Sequence, residues 1–397
     1  MTNFDETRSR FQIPDGVIYL DGNSLGPLPR GVQARAAEVM QHDWGTQLIT
    51  AWNKAGWMDL PRRVGDRVGG LIGAPAGSVV MGDTLSVKVF QALSAALKLS
   101  GDRKVILSDT GNFPSDLYMA QGLIAALDQG HQLRTVAPEA VTEALSEDVA
   151  VLMLTHVDYR TGRMHDMAAL TQKAQALGIV VIWDLAHSAG AVPVDLTGAG
   201  PEFAVGCTYK YLNGGPGAPA FIYVRPDLQD TAFPVLSGWL GHEAPFAFDA
   251  DYRPAAGIER MRCGTPPVIQ MSVLDAALDA WDGVTIAEVR AQSIALSQRF
   301  IAAVEAACPD LTLVSPRDPL QRGSQVSFAF EHGYPAMQAL IARGVIGDFR
   351  APDIMRFGIT PLYLSADDID AAAAQLAAIV NDRLWDSDQY RARNAVT

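Results

Sequence analysis

The chain has 397 residues, 49% hydrophobic and 19% charged, enough for one large and one smaller domain around a substantial core. A formal net charge of −13, dispersed rather than gathered in a tail, argues against nucleic acid as a partner, because phosphate backbones select basic surfaces. No apolar run reaches the ~18 residues of a membrane span and the N-terminus MTNFDETRSRF has no hydrophobic signal region. The three cysteines, Cys207, Cys263 and Cys308, have neither disulfide-framework nor metal-ligand spacing, which points to a reduced, cytoplasmic interior.

Residues 1–50 open with a short apolar run, Val17 to Leu20, followed by the turn-rich DGNSLGPLPRGV. Pro29 suits the first turn of a helix continuing from Val32 to Met40. The glycines around Asn23 and Ser24 allow a close approach to a ligand, and equally a plain turn. This segment is expected to pack with the C-terminal domain.

Across 51–265, apolar runs at 105–107, 149–154, 179–183, 203–205 and 221–224 are expected strands. Helical stretches, 117–127 and 167–177, separate the first three. That alternation predicts a mainly parallel α/β sheet. Ligands of such sheets gather beyond the carboxyl ends of the strands. Asn112 to Asp116 (NFPSD), Thr155 and Asp184 all fall just past such ends. Gly82-Asp83-Thr84-Leu85-Ser86 precedes an amphipathic helix whose N-terminus is a phosphate candidate, with a simple N-cap at Asp83 or Thr84 as the alternative. No Walker-type loop and no G-x-G-x-x-G fingerprint is present.

The most informative stretch runs from Ile179 to Gly217. An uninterrupted apolar strand ends in Asp184, which is costly to bury without a cationic partner. His187 follows, and 26 residues after Asp184 comes Lys210 in TYKYLNGGPG. An amine in so apolar a setting suits a Schiff base, and the carboxylate suits a pyridinium nitrogen. Asp184 as a helix cap, Lys210 reaching to solvent and the glycines as a turn are the alternatives. Together the features favour a pyridoxal phosphate site. From 266 onward, helices at 272–281, 286–307 and 366–381 alternate with strands at 311–314 and 325–330, a smaller C-terminal α/β domain.

The order of FPSD, WDLAH and TYKYLNGGPG, within a match running from YLDGNSLG at 19–26 to PLYLS at 361–365, resembles the kynureninase family, fold-type-I PLP enzymes of the class V aminotransferase group. The resemblance implies a seven-stranded-type, mainly parallel sheet and hydrolysis of L-kynurenine to anthranilate and L-alanine in a homodimer. It further implies a Schiff base at Lys210 and a pyridinium partner in Asp184. His187, Phe113, Pro114, Ser115 and Asp116 would lie about the cofactor ring, with Thr155 near its oxygen. Leu85, Ser86, Tyr209, Trp239 and Thr265 would hold the phosphate, Thr265 from the neighbouring subunit. Tyr209 is also a candidate proton relay. Arg356 in IMRFG would grip the substrate α-carboxylate, as guanidinium forks do. Asn23 and Ser24 would line the same end. Without the family, Arg356 reads equally as a surface arginine. Kynurenine is expected to be favoured over 3-hydroxykynurenine, because the tryptophan-rich stretch 44–57 carries no acidic residue. A cysteine desulfurase or selenocysteine lyase would need a nucleophilic cysteine on a mobile loop, and the loop at 322–324 has none. An aminotransferase could use the same lysine and aspartate, whereas a non-catalytic PLP-fold protein would be expected to have lost one of them.

Overall fold

The computed structural model describes residues 2–392. Seven strands form the main sheet: β1 (Val79–Met81), β2 (Val105–Asp109), β3 (Gln132–Val136), β4 (Val149–Thr155), β5 (Val180–Asp184), β6 (Phe203–Gly206) and β7 (Phe221–Val224). Their order across the sheet is β1-β7-β6-β5-β4-β2-β3. β7 runs antiparallel to both neighbours, and every other pairing is parallel.

The strands are apolar without interruption because helices cover both faces. Val180 and Ile182 turn to one face, where they meet Val89, Leu93 and Ala96 of α1 (Leu85–Leu99). Val181 and Trp183 turn to the other, into the larger core. β1 and β3 escape a sequence reading. The first has only three residues, and the second is a half-exposed edge strand without an apolar run.

A second sheet is wholly antiparallel: β8 (Thr312–Leu313), β9 (Gln325–Ala329), β10 (Asp348–Arg350) and β11 (Ile354–Gly358), in the order β8-β9-β11-β10. Helices Ile286–Ala307 and Ala366–Asn381 pack together beside it, the second closed by a capping box of Ser365 and Asp368.

The N-terminal segment is stitched to this part of the chain. Ile18–Tyr19 pairs in parallel with Val345–Ile346, and the Leu20 carbonyl accepts from Gly358 N–H at 2.6 Å. Pro29 does not open a helix. It lies in a two-residue strand, Leu28–Pro29, antiparallel to Phe11–Gln12, and the helix starts after Gly31 at Val32. The proline lacks the N–H a helix interior would need, so an edge pairing suits it. That helix ends at Glu38 and continues as a π-helical turn, Val39–Trp44. Among the described residues no helix is long and apolar enough to cross a membrane.

Candidate active site

Parallel strands deliver their C-terminal residues to one edge, and the sheet register sets Thr155 of β4 directly beside Asp184 of β5. Both are buried. A turn, not a helix, follows Asp184, so it caps nothing: Oδ1 accepts the Ala186 N–H at 2.8 Å. Asp116 reaches the same point from the first turn of α2 (Pro114–Leu127), where Pro114 fixes the entry and Phe113 holds the cap position in extended conformation.

Lys210 follows β6 in a tight turn. Its carbonyl accepts from Asn213 N–H at 2.9 Å, with Asn213 in the left-handed region at φ 59°, and Thr208 O accepts from Gly214 N–H at 2.8 Å. Lys210 is half-buried and turns inward, its Nζ 2.8 Å from His187 Nε2. The Phe113 and Tyr209 ring centroids lie 6.0 and 5.7 Å from the same nitrogen. The N-terminal turn packs onto this segment so closely that a Cβ on Gly26 would fall 2.3 Å from the Lys210 carbonyl oxygen. Only glycine fits there.

The electrostatics are those of a desolvated site. Burial raises both Asp184 and Asp116 above the ordinary carboxylate range; the Asp184 charge further raises Asp116, while Lys210 lowers both. Two buried carboxylates that feel one another resist carrying both charges at once. Burial, then the Lys210 charge, depresses His187 well below an ordinary imidazole, so its ring is neutral. With Lys210 donating to Nε2, the ring proton lies on Nδ1, which is buried and unpartnered among the described residues. The charge of neighbouring Cys207 and burial push the Tyr209 hydroxyl upward.

A second feature adjoins. Thr84 occupies the cap position of α1 without a side-chain cap bond, and Asp83, in the left-handed region at φ 58°, turns instead to the buried Lys88, 3.3 Å away. Neither residue caps the helix. Ser86 Oγ and Ser115 Oγ are 2.8 Å apart, joining the first turns of α1 and α2, and two converging helix N-termini form an anion-binding corner. Leu85 lies in the same first turn. The unpartnered buried oxygen of Asp116, the neutral His187 and this corner fit a cationic heteroaromatic ring carrying a phosphate.

A third cluster gathers Asn23, Ser24 and Arg356. Arg356 is no surface residue. Its side chain is 2% exposed and ion-pairs with Asp348, which stands directly opposite it across β10 and β11. Nη1 donates to the Tyr159 carbonyl at 2.5 Å and Nη2 to Ser24 Oγ at 3.1 Å. Asn23 is buried and donates to Gln325 at 3.2 Å. Sequence reasoning missed Asp348, Arg350, Tyr159 and Asp21. The Tyr159 ring meets Phe113 edge-on at 5.2 Å, linking this cluster to the lysine. Burial, and secondarily Asp348, raises Asp21 to about 7. Trp239 and Thr265 join none of these clusters by a hydrogen bond among the described residues. Both are exposed on the excursion between β7 and residue 268, Trp239 packs edge-on against Phe246 at 5.8 Å, and neither hydrogen-bonds Lys210 among the described residues.

Residues 289–376 match the family described as "Kynureninase C-terminal domain". The chain is 50% identical to a kynureninase of Pseudomonas fluorescens and 51% identical to one of Burkholderia pseudomallei (strain 1106a), in each case covering 98% of this chain and 95% of the relative. The chain belongs to the kynureninase family. Among solved structures it is similar to the apo cysteine desulfurase of Thermococcus onnurineus NA1 (TM-score 0.80, 19% identity, 96% of this chain and 99% of that one). It is equally similar to the cysteine desulfurase CsdA of Escherichia coli (TM-score 0.80, 20% identity, the same coverage). These likenesses concern the fold, which is fold type I of the PLP-dependent transferases, as the kynureninase resemblance implied. They do not extend to a desulfurase cysteine. Cys207 is buried with its Sγ 3.9 Å from the Ala186 carbonyl, Cys308 is buried in the core, and Cys263 Sγ is held between Gln91 and the Leu236 carbonyl.

Proposed function

We propose that the protein hydrolyses L-kynurenine to anthranilate and L-alanine, using pyridoxal phosphate held by Lys210. The observation that carries this is one continuous site in which Lys210 on His187, the Asp116–Asp184 pair and the buried Arg356 are linked through Phe113 and Tyr159. An amine beside a buried acid, with a guanidinium across the cleft, suits an α-amino acid carried on a pyridine aldehyde. Membership of the kynureninase family selects the substrate.

When bound, the cofactor supplies an electron sink for charge developing at the substrate α-carbon. The chain's residues do the rest. Asp184, with Asp116 beside it in the same buried setting, would keep the pyridine nitrogen protonated. Lys210 Nζ takes the α-proton and returns it. Tyr209 would relay protons at the γ-carbonyl, where water adds; as the Cβ–Cγ bond breaks, the hydrated carbonyl carbon leaves as the carboxylate of anthranilate and a proton passes to Cβ, the methyl of alanine. Phe113, Pro114, Ser115, His187 and Thr155 would hold the cofactor ring. Leu85, Ser86 and Tyr209 would hold the phosphate. Arg356 holds the α-carboxylate, with Asn23 and Ser24 next to it.

The exposure of Trp239 and Thr265 supports a homodimer in which they complete a neighbouring subunit's phosphate site. Exposed Phe246 and Phe248 beside Trp239 suit such an interface. We place the protein in the cytoplasm, with residues 51–265 as the cofactor domain, 266–397 as the small domain and 1–50 packed with the latter. The test is to offer the purified, PLP-loaded protein L-kynurenine, 3-hydroxykynurenine and L-cysteine separately and compare kcat/KM. Kynurenine is expected to lead. Turnover of L-cysteine alone would overturn the proposal.

A further inference from the structure

The carboxylate end of the site holds more guanidinium than Arg356 can use. Both Nη2 hydrogens of Arg356 are taken, by Asp348 and Ser24, and Nη1 donates to the Tyr159 carbonyl. Only Nε, buried and unpartnered among the described residues, and one Nη1 hydrogen stay free. With Nη2 fully used, neither two-pronged edge of this fork is complete, so Arg356 as held cannot grip a carboxylate bidentately.

Arg350 is held quite differently. It lies two residues beyond Asp348 on β10, so strand alternation puts both side chains on the sheet face that Arg356 occupies opposite Asp348. Nη1 donates to Asp348 Oδ1 at 2.8 Å and to the Phe349 carbonyl at 3.0 Å. Nε and Nη2 donate to nothing among the described residues, which leaves one whole bidentate edge open on a side chain 39% exposed. It shares Asp348 and a sheet face with Arg356, whose Nη1 holds the carbonyl of Tyr159, the ring neighbour of Phe113, so it lies at the same end of the site. Asp348 thus tethers two guanidinium groups, one buried and spent, the other half-exposed with a free fork.

We propose that Arg350 is the second carboxylate-binding residue of the site, closing its Nε–Nη2 edge on the substrate α-carboxylate while Arg356 offers Nε–H from the buried side. Asp348 is the positioning residue that sets their spacing. This rests on the reading above that the substrate is an α-amino acid.

The test pairs Arg350→Gln with a substrate lacking the charge. In the PLP-loaded enzyme, Arg350→Gln should raise KM for L-kynurenine roughly ten- to a hundredfold, the range for hydrogen bonds to a charged group, with kcat within about threefold. For the α-carboxamide of kynurenine the same variant should change KM by less than about twofold, because the partner of the fork is gone. Asp348→Asn should raise KM for kynurenine alone in the same way. An unchanged KM for kynurenine, or equal losses for acid and amide, would overturn the assignment. Wild-type enzyme inactive on kynurenine would instead sink the proposed function. The same comparison would then be read from visible-absorbance titrations with L-alanine and L-alaninamide, where Arg350→Gln must weaken only the acid.

Discussion

Arg356→Ala separates the two duties of the buried guanidinium. In the folded protein it satisfies the Asp348 carboxylate, the Tyr159 carbonyl and the Ser24 hydroxyl. Breaking a buried ion pair costs about 3–5 kcal/mol, and the low end applies because Arg350 and Ser24 still face Asp348. The other two hydrogen bonds add about 1 kcal/mol each, so Arg356→Ala should lose about 5 kcal/mol. Adding Asp348→Ala removes the buried carboxylate that has lost its main partner and should restore about 2–3 kcal/mol, because the released Arg350 is accessible enough for water to solvate. Neither variant should recover substrate affinity, and Arg356→Lys should not either, since one ammonium cannot hold Asp348, Ser24 and the Tyr159 carbonyl and still offer the substrate a donor where Nε–H stands. Urea midpoints of the cofactor-free protein and KM for L-kynurenine, taken together, check this. A double variant no more stable than Arg356→Ala would refute the reasoning, as would a normal KM in any of the three.

Lys210→Ala should abolish both the visible absorbance of the PLP-loaded protein and turnover, while leaving the fold intact by circular dichroism. Asp184→Asn should keep PLP bound, because the amide oxygen still accepts the Ala186 N–H, yet lose most of kcat for want of a charge on the pyridine nitrogen; near wild-type turnover would speak against that role. Asp21 gives a pH signature. Its folded pKa of about 7 lies above the ordinary value, so the folded state binds more protons and its contribution to stability falls as pH rises from about 4 to 7. Asp21→Asn should therefore gain on wild type in thermal midpoint at pH 8 and not at pH 4, and equal differences at both would contradict the assignment.

How far the sequence could be read follows from how local each feature is. The Asp184 strand end and the Lys210 turn are written in contiguous residues, an apolar run into a carboxylate and a lysine before glycines, and they do meet at one sheet edge. The long helices Ile286–Ala307 and Ala366–Asn381 were legible to the residue because period and caps agree. The partners of Arg356 were not legible. Asp348 is joined to it by register between two short antiparallel strands, and Tyr159 contributes a backbone carbonyl, which no side-chain pattern announces. Pro29 misled because its fixed φ suits a helix start and an edge strand alike. Trp239 and Thr265 were singled out only through resemblance, and a single chain leaves both exposed.

The most direct measurement is a mass balance on L-kynurenine with the PLP-loaded protein. Anthranilate, followed by fluorescence, and L-alanine, followed by chromatography, should appear in equal amounts at every time point and account for all substrate consumed. Kynurenine consumed without anthranilate, with the amino group passed to an added oxo acid, would identify an aminotransferase and contradict the account.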